Sequence, residues 1–281
     1  MQAPALVFIG FGEAGQAFAG PIGTAARGYD RKDKSAEFAA CGVERADSNA
    51  AAVAGASLIL SLVTADQALA AAEETARSIA AGGLFCDMNS VAPGTKREAA
   101  RPIEAAGGRY VDVAVMAPVH PGRLKVPLLV SGPHAEAGAE TLRALGFNPR
   151  VVGAKVGDAS SIKMIRSVMV KGLEALSAEC VLAAHEAGVA DEVTASLDAS
   201  WREEPWARRF DYNLERMLVH GTRRAAEMEE VVKTLDALGT GSVMTRGTVE
   251  RQRALGAIGR SAPDGLDAKI ETILERKAEA A

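Results

Sequence analysis

The chain has 281 residues and a mass of 29.1 kDa, which suits two compact domains of the usual ~100–200 residues better than one. Hydrophobic residues make up 48% and charged residues 24%, with a mean hydropathy of +0.05, and no stretch near ~18 residues is free of charges or helix breakers, which argues against a membrane span. The net charge of −4 gives no electrostatic reason to bind nucleic acid or anionic lipid.

From residue 5 to residue 152 a short apolar run, a turn signal and an alanine-rich segment of helical spacing recur. Ala5–Ile9, Thr24–Tyr29, Ser57–Val63, Leu84–Met88, Tyr110–Val115, Pro127–Val130 and Arg150–Val152 are predicted as strands. Several are continuous apolar runs, as expected where both faces of a sheet are covered, so the sheet should be largely parallel. Ala14–Ala19, Ala65–Ala81 and Gly94–Ala106 are predicted as crossover helices. The last has Ser90 placed to cap it and Pro93 near its first turn.

Residues 158–187 hold no proline and one internal glycine, Gly172, with apolar residues at Ile162, Ile165, Met169, Leu173, Leu176 and Val181. They predict one helix of about 45 Å, long enough to join two domains or two subunits. Residues 189–281 read as further helices, with breaks near Gly188, Pro205, Gly221, Gly239–Gly241 and Pro263–Gly265. The fold class is therefore α/β: a Rossmann-like domain over residues 1–154, then an all-helical domain over 155–281.

Cys41, Cys86 and Cys180 are far apart and show neither a CxxC pair nor metal spacing; with the four histidines also dispersed, no disulfide framework and no metal site is implied. Met1–Pro4 lead into the first strand without a basic region or cleavage site, so the expected location is the cytoplasm. Serines beside glycine, such as Ser131 and Ser242, lack a nucleophile elbow.

Gly10-Phe11-Gly12-Glu13-Ala14-Gly15 follows an apolar strand and opens a helix. In that context Gly10 serves a tight turn, Gly12 lets the backbone approach a pyrophosphate, and Gly15 allows the helix to pack on the strand. Glu13 is tolerable in such an anion site only where its side chain points to solvent. The second strand ends at Asp30, followed by Arg31 and Lys32. A carboxylate here accepts from the adenosine ribose and selects NAD, whereas an Arg-Lys pair clamps a 2′-phosphate and selects NADP. Asp30 reads equally as a turn residue and the cations as a solvated run; the adjacent pair tips the expectation to NADP over NAD. Leu62, Val63 and Thr64 end the strand expected beside the nicotinamide ribose, or serve only the core.

Three motifs in order resemble the β-hydroxyacid dehydrogenase family, which includes 3-hydroxyisobutyrate and 6-phosphogluconate dehydrogenases. They are the glycine turn, Cys86-Asp87-Met88-Asn89-Ser90-Val91-Ala92-Pro93, and Gly157-Asp158-Ala159-Ser160-Ser161-Ile162-Lys163-Met164. His220-Gly221-Thr222-Arg223-Arg224-Ala225-Ala226-Glu227-Met228 is similar to a less characterised sub-branch. The resemblance implies oxidation of a β-hydroxy acid or related small hydroxy compound, a nicotinamide cofactor, and a homodimer paired through the helical domains. It makes Lys163 the acid/base, and burial with Arg166 nearby would lower its pKa toward use at neutral pH. Asn89 and Ser90 orient substrate or simply cap a helix. Ser167 shares the Lys163 face at i+4 and is a substrate donor or a plain surface serine.

His220, placed near a helix start, contacts substrate or caps. Two departures stand out: Met116-Ala117-Pro118 occupies the place of the family's Ser-Gly-Gly turn, and Ser167 that of its substrate-binding asparagine. His120, Arg123 and Lys125 lie in the loop that could supply a replacement grip, unless they are only solvated. Trp201, Trp206, Phe210 and Tyr212 are expected to pack a core or a dimer interface. The rival readings are an imine reductase of the same architecture, against which Lys163 argues, and a non-catalytic dinucleotide sensor.

Overall fold

The computed structural model describes residues 6–200, 204–258 and 262–279; Ala5 and Trp201 lie outside them. The chain divides into two compact units, residues 1–168 and 169–281. Among the described residues no helix is long and apolar enough to cross a membrane.

The first unit alternates strands and helices: β1 (Leu6–Ile9), α1 (Glu13–Ile22), β2 (Ala26–Tyr29), α2 (Ser35–Ala40), β3 (Glu44–Arg45), α3 (Asn49–Val53), β4 (Leu58–Ser61), a 3-10 turn (Ala65–Gln67), α4 (Ala68–Ala76), β5 (Leu84–Asp87), α5 (Pro93–Ala105) and β6 (Arg109–Val115). A second 3-10 turn (Arg123–Lys125), β7 (Pro127–Ser131), α6 (Ala135–Ala144) and β8 (Asn148–Gly153) follow. The strands form one sheet in the order β3-β2-β1-β4-β5-β6-β7-β8. Every pair is parallel except β6–β7. The first six strands thus have the doubly wound order whose direction of progression reverses between β1 and β4, where open α/β sheets bind ligands.

The apolar runs read as expected because both faces are buried. Leu6 and Phe8 pack with Leu58, Leu60 and Cys86 in one core, while Val7 and Ile9 pack with Ile59, Phe85 and Tyr110 in the other. Three details differ from expectation. Pro93 does open α5, but Ser90 is exposed and the helix cap is Ala92, without a side-chain hydrogen bond. The segment predicted as one helix from Ala65 to Ala81 is a 3-10 turn followed by the shorter α4. The edge strand β3 and the helices α2, α3 and α6 add to the predicted set.

The long helix forms as α7 (Asp158–Glu186) and contains the division between the units; α8 (Ala190–Ser200), α9 (Trp206–Leu238), α10 (Val243–Gly256) and α11 (Leu266–Glu279) complete the chain. Pro205 precedes α9, and Gly239, with φ of 70°, ends it in the left-handed conformation, as the sequence signals require. The predicted break at Gly221 does not occur: α9 runs through it. A Cβ on Gly221 would lie 2.3 Å from the Gln252 carbonyl oxygen, and one on Gly256 2.2 Å from Thr222 N. The two glycines let the α9 and α10 backbones close on each other, and that packing overrides the helix penalty of a single glycine, about 1 kcal/mol. Within the same unit Glu179 accepts from Met244 N and Thr245 N, both at 2.9 Å, and from the Thr245 hydroxyl, satisfying amides at the start of α10. Gly221→Ala is expected to destabilise the chain by about 1–3 kcal/mol through overpacking, read as a lower denaturation midpoint in urea.

Candidate functional site

The loop after β1 is shaped by two glycines. Gly10 has φ of +88°, and a Cβ there would lie 2.5 Å from the Leu62 carbonyl oxygen. Gly12 starts α1 with no side-chain cap, and a Cβ on it would meet nothing within 4 Å. The first amides of α1 therefore face open space, the arrangement that accepts a phosphate. Gly15 packs closely, its hypothetical Cβ being 3.0 Å from the Gly10 carbonyl. Phe11 is buried and stacked on Phe38 at 4.1 Å, so only its backbone can meet a ligand. Glu13 is exposed and Ala14 half-buried.

This loop walls a cavity of about 660 Å³ at the carboxyl ends of β1, β2 and β4. Asp30, Arg31, Lys32, Leu62, Val63 and Thr64 all line it, so eight sequence-predicted cofactor residues, with Gly10 and Gly12, meet in one crevice. Asp30 is occupied on both oxygens: Phe11 N donates to Oδ2 at 2.7 Å and Lys32 N to Oδ1 at 2.8 Å. The Arg31 guanidinium donates to Gln67, and Lys34 pairs with Glu37 at 2.7 Å. Tyr29, Asn49, Asp66 and Gln67 also line the cavity; Tyr29 ends β2, Asn49 opens α3 and the other two lie in the turn following β4, and no sequence pattern marks them as ligand-facing.

At the end of β5, Asn89 is buried, its Nδ2 donating to Ser61 Oγ at 2.9 Å and its backbone N to Asp87 Oδ1 at 2.9 Å. Its Oδ1 is shielded and has no hydrogen-bond partner. Next to it lies an ionic network that sequence reasoning did not single out. Lys96, Asp87 and Asp112 are each 0% exposed. The Lys96 ammonium lies 3.0 Å from Asp87 Oδ1 and 3.4 Å from Asp112 Oδ1, and also donates to the Asp87 carbonyl. The Tyr110 hydroxyl donates to Asp87 Oδ2 at 2.5 Å. Burial, and then the Asp87 charge, holds that phenol protonated well above its ordinary range. Burial likewise pushes the Cys86 thiol up to about 12, which leaves it inert as a nucleophile.

Asp112 reaches the start of α7. Its Oδ2 accepts from Gly157 N, Ser160 N and the Ser131 hydroxyl at 3.1 Å each; Ala159 N donates to Ser131 Oγ at 2.9 Å. These bonds satisfy orphan amides of the first turn and place a carboxylate at the positive end of the helix. The signal was present in the sequence: an aspartate inside each apolar run, paired in register as Asp87 and Asp112, and a lysine in phase with Ala99, Ala100 and Ile103.

Lys163 is half-buried one to two turns into α7, and Ser167 donates its hydroxyl to the Lys163 carbonyl at 2.9 Å. Neither these two nor Asn89 and Ser90 line the glycine-rich cavity. His220 belongs to the other unit and lies in the middle of α9, not near a helix start, because the break expected at Gly221 is absent. In the loop after β6, Lys125 donates to the Gly146 carbonyl at 3.0 Å. Among the described residues no cluster of three His, Cys, Asp or Glu is placed to hold a metal.

A doubly wound sheet with a glycine-rich phosphate loop at its reversal point defines a dinucleotide-binding protein, and residues 5–140 match the NAD binding domain of 6-phosphogluconate dehydrogenase. The first unit thus carries the NAD binding domain of the 6-phosphogluconate dehydrogenase-like family, and a carboxy-terminal segment, residues 184–255, matches a domain of unknown function, DUF1932. A conserved hypothetical protein from Sinorhizobium meliloti is 38% identical, with 97% of this chain and 96% of that one covered and a TM-score of 0.60. A conserved protein of unknown function with structural similarity to 3-hydroxyacid dehydrogenases is 29% identical, covering 95% and 99%, with a TM-score of 0.59. An imine reductase from Myxococcus stipitatus, in complex with NADP+, shares the fold at 21% identity, covering 96% and 100%, with a TM-score of 0.76; a variant of it is in complex with NAD+.

Lys96→Met leaves two buried carboxylates facing each other and is expected to cost about 3–5 kcal/mol, measured by chemical denaturation. Tyr110 has a folded pKa raised above 10.0, so its contribution is complete below pH 10 and falls as pH rises further. The stability of the wild type should decline across that alkaline range by a component that Tyr110→Phe lacks.

Proposed function

We propose that this protein is an NADP-preferring oxidoreductase acting on a β-hydroxy acid or a related hydroxy compound. The observation that carries the proposal is the cavity of about 660 Å³ that brings Gly10 and Gly12 together with Arg31 and Lys32. Open backbone at Gly12 and the uncapped start of α1 fit a pyrophosphate. Both oxygens of Asp30 already accept backbone N–H bonds, which weakens it as a ribose acceptor, while Arg31 and Lys32 are exposed at the same rim and suit a 2′-phosphate. A nicotinamide dinucleotide bound there accepts or supplies the hydride.

Lys163 is assigned the proton. Its amine takes it from the substrate hydroxyl on oxidation and returns it on reduction, with Asn89, Ser90 and Ser167 orienting substrate. The shielded Oδ1 of Asn89 is an acceptor in want of a donor, and Ser167, whose own proton goes to the Lys163 carbonyl, keeps its lone pairs for a substrate N–H or O–H.

A homodimer through the helical unit belongs to the same proposal. Trp206 and Phe210 lie with ring centroids 5.4 Å apart, yet both are exposed, as are Leu176, Val181 and Leu182; a second copy would cover such a surface. Three free cysteines suit a reducing cytoplasm.

One assay on purified protein tests the reading: reduced-nicotinamide absorbance with NADP and NAD across β-hydroxy acids, the matching carbonyl compounds and imines, on protein whose light-scattering mass is near twice 29.1 kDa. The expected result is hydroxy-acid turnover, faster with NADP, reduced at least about 100-fold in Lys163→Met with cofactor affinity retained. Turnover of imines alone would transfer the assignment to C=N reduction, and nucleotide binding without turnover of any substrate would make the protein a sensor.

A further inference from the structure

Helix α9 carries a basic row that the dinucleotide crevice does not use. Arg216, His220 and Arg224 follow one another at intervals of four residues within Trp206–Leu238, which stacks them on one face of the helix. All three are half-buried. The α10 side of the helix is a different one: Leu218, Ala225 and Val232 are buried, Ala225 and Val232 cluster with Val249 of α10, and Gly221 closes on Gly256. At 100° per residue the row is turned roughly a third of a turn from that packed face.

Three other cations of this unit are matched by carboxylates. Arg246 pairs with Asp236, Arg253 with Glu229, and Lys269 with Asp211 and Glu215. Arg216 and Arg224 each have a shielded Nε without a hydrogen-bond partner, and no ion pair with any described residue. Two guanidinium groups and an imidazole at successive i, i+4 positions repel when charged, and a shielded N–H left unbonded costs its hydration. Both costs are removed by one class of ligand, an oxyanion, because the guanidinium fork matches a carboxylate or phosphate with two parallel bonds.

We propose that Arg216, His220 and Arg224 form an oxyanion-binding site in the helical unit, which takes the carboxylate or phosphate group of a small molecule. The site stands on this unit alone and does not depend on the redox assignment. Two probes distinguish the sources of the anion: inorganic phosphate for a phosphorylated ligand and malonate for a carboxylate. Each is titrated calorimetrically into the full chain with saturating NADP+ present, so that the glycine-rich crevice is not what the anion reads. Wild type and Arg246→Gln, a control whose guanidinium is already engaged by Asp236, should bind one probe alike. Arg216→Gln and Arg224→Gln should each weaken it by about tenfold or more. Both variants should melt no lower than wild type when no anion is added, since each removes repulsion. Equal binding by all four proteins, or no binding of either probe by the wild type, would overturn the site. A drop in melting temperature without anion would show instead that the arginines serve the fold, and would overturn it equally.

Discussion

A lysine with no exposure lies between two aspartates with none, and the position of helix α7 follows from it. Lys96 compensates Asp87 and Asp112, and Asp112, held on the β6 side of the network, accepts the first amides of α7. Burying these charges carries a desolvation penalty that attraction alone need not recover, so the arrangement is poorly explained as a source of stability. It is better explained as registry. It joins β5, β6 and α5 to one defined start of α7, and Lys163 inherits its height along the helix from that start.

The crevice has a separate origin, in topology. Reversal of strand order between β1 and β4 opens a gap at the carboxyl ends of the strands, and a glycine with positive φ turns the chain there without blocking it. The helix that follows contributes unpaired amides, and its dipole adds partial positive charge. Asp30 then has two duties. It fastens the glycine loop through Phe11 N and, by turning its oxygens to the backbone, leaves the rim to Arg31 and Lys32.

Much of this was legible in the sequence, for reasons that particular residues show. Val7 and Ile9 point to one core and Leu6 and Phe8 to the other, so β1 reads as an unbroken apolar run that alternation would have hidden. The glycine turn was legible because its meaning is local. The helices α2 and α3, of six and five residues, are too short for a period of 3.6 to register, and in α6 the small residues Ala135 and Ala139 make a faint stripe. Gly221 misled because a glycine's local penalty is visible in sequence while the backbone of α10 against it is not. Ser90 misled because capping depends on where the chain turns, and here it turns at Ala92. The aspartates of β5 and β6 stood out within apolar runs, but their shared partner lies on α5, and only the folded chain brings them together. The row on α9 was hidden for a related reason, since His220 was read next to a break that does not form.

The central claim, that the crevice holds a nicotinamide dinucleotide through its glycine loop and prefers the 2′-phosphorylated form, is tested most directly by fluorescence titration of NADPH and of NADH into the wild-type protein. The account predicts saturable binding of one nucleotide per chain, with NADPH bound at least about tenfold more tightly than NADH. No saturable binding of either nucleotide would contradict the assignment of the crevice, and tighter binding of NADH would contradict the roles given to Asp30, Arg31 and Lys32.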